Sequence, residues 1–424
     1  MKKELDATRF IGWGLLVLIA IMPFHAFLSV YLGSLTKHET VIQAWKELLI
    51  VIMSLLALTT IITTKAWAKL TRPIIIAILA FSALALLVSL RPSESLPTFV
   101  YGAKTDLEFL ALFIISGFAY LPNLEQRLQK TILISSALVI IFGILQVLVL
   151  PKDWLAHFGY NAQTLLPYQS VDPAVHSIRI IGTLAGPNQL GEWLILPIAL
   201  SLYLLAKERK IWPGLLLLGA LFVEFNTYSR TAWIGTLVAA VATILLILPK
   251  KLAWAFAAAS LIIAIGVGIW GRDAVLRQSK LQYYLLHGRL FESQVQGSSA
   301  SHFAAITHGL AEMRAHPLGL GLGTAGPASE QSASVIITEN YYLQVGIEIG
   351  ILGLSLFLII LGLLAKDLWS LREGSTLAIP LLGALLGLSA VNLFLHGWTD
   401  SSTALIFWGV TGFVVNSNRS ARHA

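Results

Sequence analysis

The chain has 424 residues, 56% of them hydrophobic and only 12% charged, with a mean hydropathy of +0.78 and a formal net charge of +7. A soluble domain carries about a quarter charged residues, so this composition excludes one, and the absence of cysteine excludes disulfides, thiolate metal sites and cysteine nucleophiles. The modest positive charge fits Lys and Arg in cytoplasmic loops, and no nucleic-acid partner is expected.

Apolar runs recur from end to end, each about 18–25 residues long, the length that crosses hydrocarbon. A membrane β-barrel would instead alternate with period two. The expected fold is all-α: a polytopic integral membrane protein with about 12 transmembrane helices and a long helical extracytoplasmic loop. MKKELDATRF leads into the first apolar run with no small-residue cleavage site, so that run reads as a retained span. In chain order the spans fall at roughly 10–31, 45–63, 73–90, 107–121 and 131–150, then, past a loop at 151–181, at 182–206, 211–226, 231–248 and 252–270. The long loop occupies about 271–340, and the last spans are 341–364, 376–396 and 402–416. With the N-terminus inside, the inner segments hold 17 of the 29 Lys and Arg residues. That bias predicts both termini in the cytoplasm and both long loops on the opposite face.

Within the long loop, ASHFAAITHGLAEMRAH (300–316) places Phe303, Ile306, Leu310 and Met313 on one helical face, as for an amphipathic helix lying on the membrane. HPLGLGLGTAG (316–326) alternates Gly319, Gly321 and Gly323 between apolar residues. No strand precedes it as a nucleotide fold requires, so it reads as a tight packed turn, with phosphate contact through its amides a secondary reading. No metal-ligand spacing occurs in the outer loops, and no metal or other cofactor is expected.

Charge at membrane depth costs about 2.5–3.5 kcal/mol per group on insertion scales, so each instance asks for a reason. Several fall on the predicted outer side: Arg179 in RIIGTLAGPNQLGEW, which also holds Asn188; Arg230 in NTYSRTAW; Arg289 in YYLLHGRLFES; Glu339 in TENYYLQ; and Asp400 in HGWTD. Guanidinium forks suit phosphate oxygens, so three arginines and a carboxylate near one leaflet suit a lipid-linked phosphate or pyrophosphate. The plainer reading is that each arginine reaches headgroups or a local acid, as Arg230 would with Glu224. For Glu339 the plainer reading is an N-cap at the start of the tenth span. His308 and His316 are acid–base candidates, although interfacial histidines more often serve only as hydrogen-bonding groups.

Four segments in order resemble the O-antigen ligase and polysaccharide polymerase family: RIIGTLAGPNQLGEWLILPIAL, TYSRTAWIGTL, the loop from HGRLFES to AHPLGLGLG, and ENYYLQVGIEIGILG. The resemblance covers roughly 179–353 and divides the chain into N-terminal helices with the first outer loop (1–178), a ligase-like core (179–353, including the loop 271–340), and C-terminal helices with a short tail (354–424). It implies a glycosyltransferase of the bacterial inner membrane that moves a glycan from polyprenyl (undecaprenyl) pyrophosphate to a glycolipid or glycan acceptor hydroxyl at the outer face, with inversion and without a metal. By motif, Arg230 and Arg289 would hold the donor pyrophosphate, and the reading of the charges adds Arg179 to them. Glu339 stands where the ligases have a histidine thought to activate the acceptor, and would be the general base. Asn188, His316, Asn340, Tyr341 and Asp400 complete the expected substrate contacts, and Glu348 is expected to be a buried partner of an arginine. The alternatives are a repeat-unit polymerase of the same family, or a transporter of lipid-linked sugars.

Overall fold

The computed structural model describes residues 2–90, 95–172, 175–256, 298–331 and 335–417. Pro23 interrupts the first apolar run, because a proline ring cannot supply the amide that an α-helix needs. α1 (Lys2–Ile21) therefore passes through a 3-10 turn at Met22–Phe24 into α2 (His25–Thr36). A short α3 (Glu39–Gln43) leads to α4 (Trp45–Thr64), α5 (Pro73–Val88), α6 (Leu96–Ser116) and α7 (Leu124–Leu148). The loop after α7 holds an antiparallel hairpin, β1 (Gln169–Asp172) with β2 (Val175–Arg179), in which Gln169 faces Arg179. This hairpin is a small exception to the all-α expectation. Its β-branched Val and Ile residues suit a pleated ribbon.

α8 (Pro187–Ala206), α9 (Trp212–Phe225) and α10 (Arg230–Ile247) follow, then α11 (Ser298–Ala315) from the long loop. The span expected at 341–364 is two helices, α12 (Tyr341–Glu348) and α13 (Gly350–Leu371), broken where Gly350 takes φ +79°. α14 (Ala378–Val391) and α15 (Ser401–Ser417) end the chain's described part.

Among the described residues, six segments are long and apolar enough to cross a membrane: Asp6–Thr36, Glu39–Thr64, Leu124–Leu148, Pro187–Ala206, Arg230–Ile247 and Gly350–Leu371. α5, α9 and α14 are apolar but shorter. Most of the span expected at 252–270 lies outside the described residues.

Two helix pairs organise the interior. α15 is buried along nearly its whole length and packs on α6 through an aromatic cluster, with Trp408 5.2 Å from Phe109 and 5.6 Å from Trp398, ring centre to ring centre. α10 meets α14 through small residues, which let helix backbones approach closely where lipid offers no hydrophobic drive. A Cβ on Gly235 would lie 3.0 Å from the carbonyl of Gly387.

The amphipathic stretch forms α11 as expected, but one face rests on protein. Gly309 abuts Thr338 and Leu343, and Met313 abuts Gly346 of α12. The loop helix is thus docked over the start of α12 instead of lying on lipid alone.

Candidate active site

The charged residues collect where α8 and α10 begin. Arg179, the last residue of β2, donates from Nε to the carbonyl of Thr227 at 2.8 Å and from Nη2 to Oδ1 of Asn188 at 2.6 Å. Asn188 sits in the first turn of α8, behind Pro187 at the first helical position, where a missing amide costs nothing. Arg230 opens α10 directly after Ser229, whose hydroxyl caps the helix by accepting from the Ala232 amide. The turn into it needs Tyr228 at φ 52°, a left-handed conformation uncommon outside glycine. Burial pushes the Arg179 guanidinium down to about 10, and the positive charge of Arg230 acts in the same direction. Two cations therefore stand together where two helix N-termini present positive dipole ends. Glu224, the acid nearest in sequence to Arg230, is buried and accepts a 2.6 Å hydrogen bond from Thr236.

A second group forms at the start of α12. Asn340, not Glu339, is the N-cap: its Oδ1 accepts from the Leu343 amide at 2.9 Å and its Nδ2 donates to the Leu393 carbonyl at 2.9 Å. The plainer reading of Glu339 as a cap is thereby removed. Glu339 is half-buried with φ 50°, and such non-glycine strain tends to cluster at functional sites. Beside it lies His396, a residue that the sequence reading passed over although HGWTD was singled out for Asp400. Burial drives the His396 imidazole down to about 4, against the raising effect of Glu339. The Thr338 hydroxyl donates to the Asn340 carbonyl at 2.9 Å and lies 3.0 Å from His396 Nε2, so its one proton is spent and Nε2 must donate.

The two groups meet along α8. Gly397, next to His396, lies against Glu192, one helical turn beyond Asn188. Gly191 lies against Thr227, Ser229 and Ala232, the turn that carries Arg230.

The remaining candidates are placed as follows. Asp400 caps α15, accepting at Oδ1 from the Thr403 amide at 2.9 Å, and burial raises its carboxyl above the usual range. Tyr341, expected to contact substrate, is instead wholly buried against Phe357, with ring centres 5.4 Å apart, and belongs to the core. His316 is exposed past the end of α11, 3.8 Å from Glu312, and is not joined to either group among the described contacts. Arg289 lies outside the described residues.

Among the described residues Glu348 pairs with no arginine. Its Oε1 accepts from the amides of Gly323 and Ala325, at 3.0 and 3.1 Å, and it hydrogen-bonds the Asp106 carboxyl. The cause lies in the glycine run: Gly319, Gly321, Gly323 and Gly326 all take positive φ, which turns their amides inward. The loop is the tight packed turn expected of it, and the amides of Gly323 and Ala325 hold a carboxylate of the protein itself.

The apolar helices define a membrane protein, with Arg179 and Arg230 gathered where α8 and α10 begin. A family model described as O-antigen ligase matches residues 214–358, from α9 into α13. The matched stretch includes Arg230, Glu339 and Asn340; Arg179, Asn188 and His396 lie outside it. The match supports a membrane glycosyltransferase of the O-antigen ligase or polymerase type. No curated protein sequence matches the chain.

Proposed function

We propose that the protein transfers a glycan from a polyprenyl pyrophosphate to an acceptor hydroxyl at the outer face of the cytoplasmic membrane, as a ligase. One observation carries the reading: Arg179 stands beside Arg230 at the starts of α8 and α10, and the two acceptors that Arg179 itself bonds are neutral, an arrangement that suits pyrophosphate oxygens. Arg289 joins them by resemblance. As the anomeric carbon passes to the acceptor oxygen, its bond to the pyrophosphate breaks and negative charge collects on the departing phosphate. Guanidinium groups held in place beforehand, in a site poor in water, stabilise that charge.

Glu339 takes the proton of the attacking hydroxyl. His396 stands beside it as a positioning residue, fixed through Thr338 to the backbone of Asn340. Inversion follows from a single attack on the face opposite the leaving group. The expected arrangement of twelve spans with both termini in the cytoplasm would set this end of the bundle outside, within reach of a carrier lipid in the bilayer.

The test is a mass assay of the purified protein in detergent with a polyprenyl-pyrophosphate oligosaccharide, with and without a glycolipid acceptor. A single product that requires the acceptor is expected. A ladder formed from donor alone would make the protein a polymerase of the same family. No covalent product from any donor would overturn the transferase reading and return lipid-linked sugar transport to consideration.

A further inference from the structure

The loop between α7 and α8 borders two adjoining open cavities that the proposed transfer does not use. One, of about 380 Å³, is walled by Gln146, Lys152, Trp154, Tyr168, Asn226 and Tyr228. The other, of about 650 Å³, shares Pro167 and Tyr168 with the first and continues along Asn161 to Ser170. Both volumes fall within the range of about 300–1,000 Å³ typical of small-molecule sites.

The lining selects a ligand class. Trp154 is clamped between Phe158 and Phe142, with ring centres 4.7 and 5.8 Å away, so its indole is a fixed wall. Gln146 has committed Oε1 to the Gly182 amide at 2.8 Å, which leaves its NH2 group as the part it can offer the cavity. Asn226 has committed Nδ2 to the Phe222 carbonyl at 2.8 Å, which leaves Oδ1 as an acceptor. The fixed Trp154 wall and the Tyr168 ring, which has the Lys152 ammonium 5.6 Å from its centre, stand beside one directed donor and one directed acceptor and suit a ring that is apolar on its faces and hydroxylated at its edge. A lipid tail would select walls without amides, and a phosphate would select more cations than Lys152 alone.

Position ties these cavities to the arginines. Ile178 and Ile180 line the smaller one, whereas Arg179 between them sends its guanidinium the other way, to Thr227 and Asn188, as alternation along an extended strand dictates. Asn226 and Tyr228 likewise flank Thr227. The wall between cavity and cationic pair is thus a single layer of backbone, closed by the Ile180 amide on the Asn226 carbonyl at 3.3 Å.

We infer that these cavities form an oligosaccharide-binding groove, which receives glycan units beyond the sugar being transferred. The inference rests on the transferase reading for its purpose, though not for its chemistry. The glycan it holds is either still on its carrier or belongs to the acceptor.

The experiment uses full-length protein in detergent and oligosaccharides released by mild acid from the producing cells' own carrier lipids and surface glycans, with binding followed by tryptophan fluorescence. Wild-type protein should bind at least one fraction. Tyr168→Ala should weaken that binding tenfold or more, Tyr168→Trp should restore it, and Lys152→Ala, at an exposed position, should weaken it severalfold without disturbing the fold. In transfer assays Tyr168→Ala should raise KM for long-glycan donors or for long acceptors, with kcat kept, and leave single-sugar donors unchanged. Which substrate is affected tells carrier glycan from acceptor glycan. No binding by wild type, or equal binding and equal KM in all variants, overturns the groove. Binding lost in Tyr168→Ala by a protein that makes no covalent product would leave the groove standing and overturn the transferase reading.

Discussion

Arg179 lies close enough to Arg230 to feel its charge, while both groups that Arg179 itself bonds, the Thr227 carbonyl and the Asn188 amide, are neutral. An arginine whose own acceptors are neutral and whose neighbour is a second cation gains from a bound anion, and in the transfer proposed here the anion grows as the bond breaks. Arg179→Ala should therefore lower turnover about 10²–10³-fold, the usual cost of one lost charge-stabilising contact. Arg179→Lys keeps the charge but loses the fork and should recover only part of it. Product formed per minute from a carrier-linked oligosaccharide is the measurement. Near-normal turnover by the alanine variant would remove Arg179 from the site.

Glu339→Gln preserves the outline of the side chain and removes its basicity. Loss of a general base costs about 10²–10⁴-fold, and the variant should show that loss with an unchanged melting midpoint. Unchanged turnover would end the assignment, and attention would pass to His396.

His396 titrates in a direction that can be checked. Its imidazole is held neutral, down to about 4, chiefly by burial, whereas an unfolded histidine protonates near 6.5. Between those values the unfolded chain takes up the proton and the folded one does not, so stability is lost as pH falls from about 6.5 toward 4. The share due to this group is at most about 3 kcal/mol. Melting midpoints of wild type and His396→Gln, compared from pH 7 to pH 4.5, should converge as the medium is acidified. A constant gap between them would refute this account of the histidine.

Gly323 takes φ +85°, and a Cβ there would strike the Thr98 backbone, so Gly323→Ala should destabilise the protein by about 3 kcal/mol. Gly362 has nothing within 4 Å of where its Cβ would lie, so Gly362→Ala should be neutral or slightly stabilising within its helix. A thermal melt of each in detergent decides the point. Equal melts would mean that the glycine run is not the rigid element described.

Much of this was readable from the residue order because bilayer helices declare themselves by hydropathy. Most of the described helices begin or end within a few residues of the apolar runs, and Pro187, Ser229 and Asn340 mark helix starts by ordinary capping chemistry. What escaped was long-range pairing. Nothing local to HGWTD says that His396 will lie beside Glu339, because the two are brought together by the docking of α12 on the end of α14. Nor does the spacing of Glu348 reveal a partner among glycine amides some 25 residues earlier, since those amides turn inward only once the loop adopts its positive-φ path. The hairpin was missed because its strands are too short to show a period.

The glycine run has a mechanical meaning as well. The amides of Leu320, Gly321, Leu322, Gly323, Ala325 and Gly326 are all spent, on Ile347, Glu348, Ser89 and Ile336, and the Gln331 carbonyl is spent on the Thr98 hydroxyl. Swinging this segment aside would strand those groups together with a buried carboxylate, at about 1–3 kcal/mol for each group left unpaired. It therefore behaves as a doorpost. α11, docked on α12 just ahead of this run, shares its fixed footing.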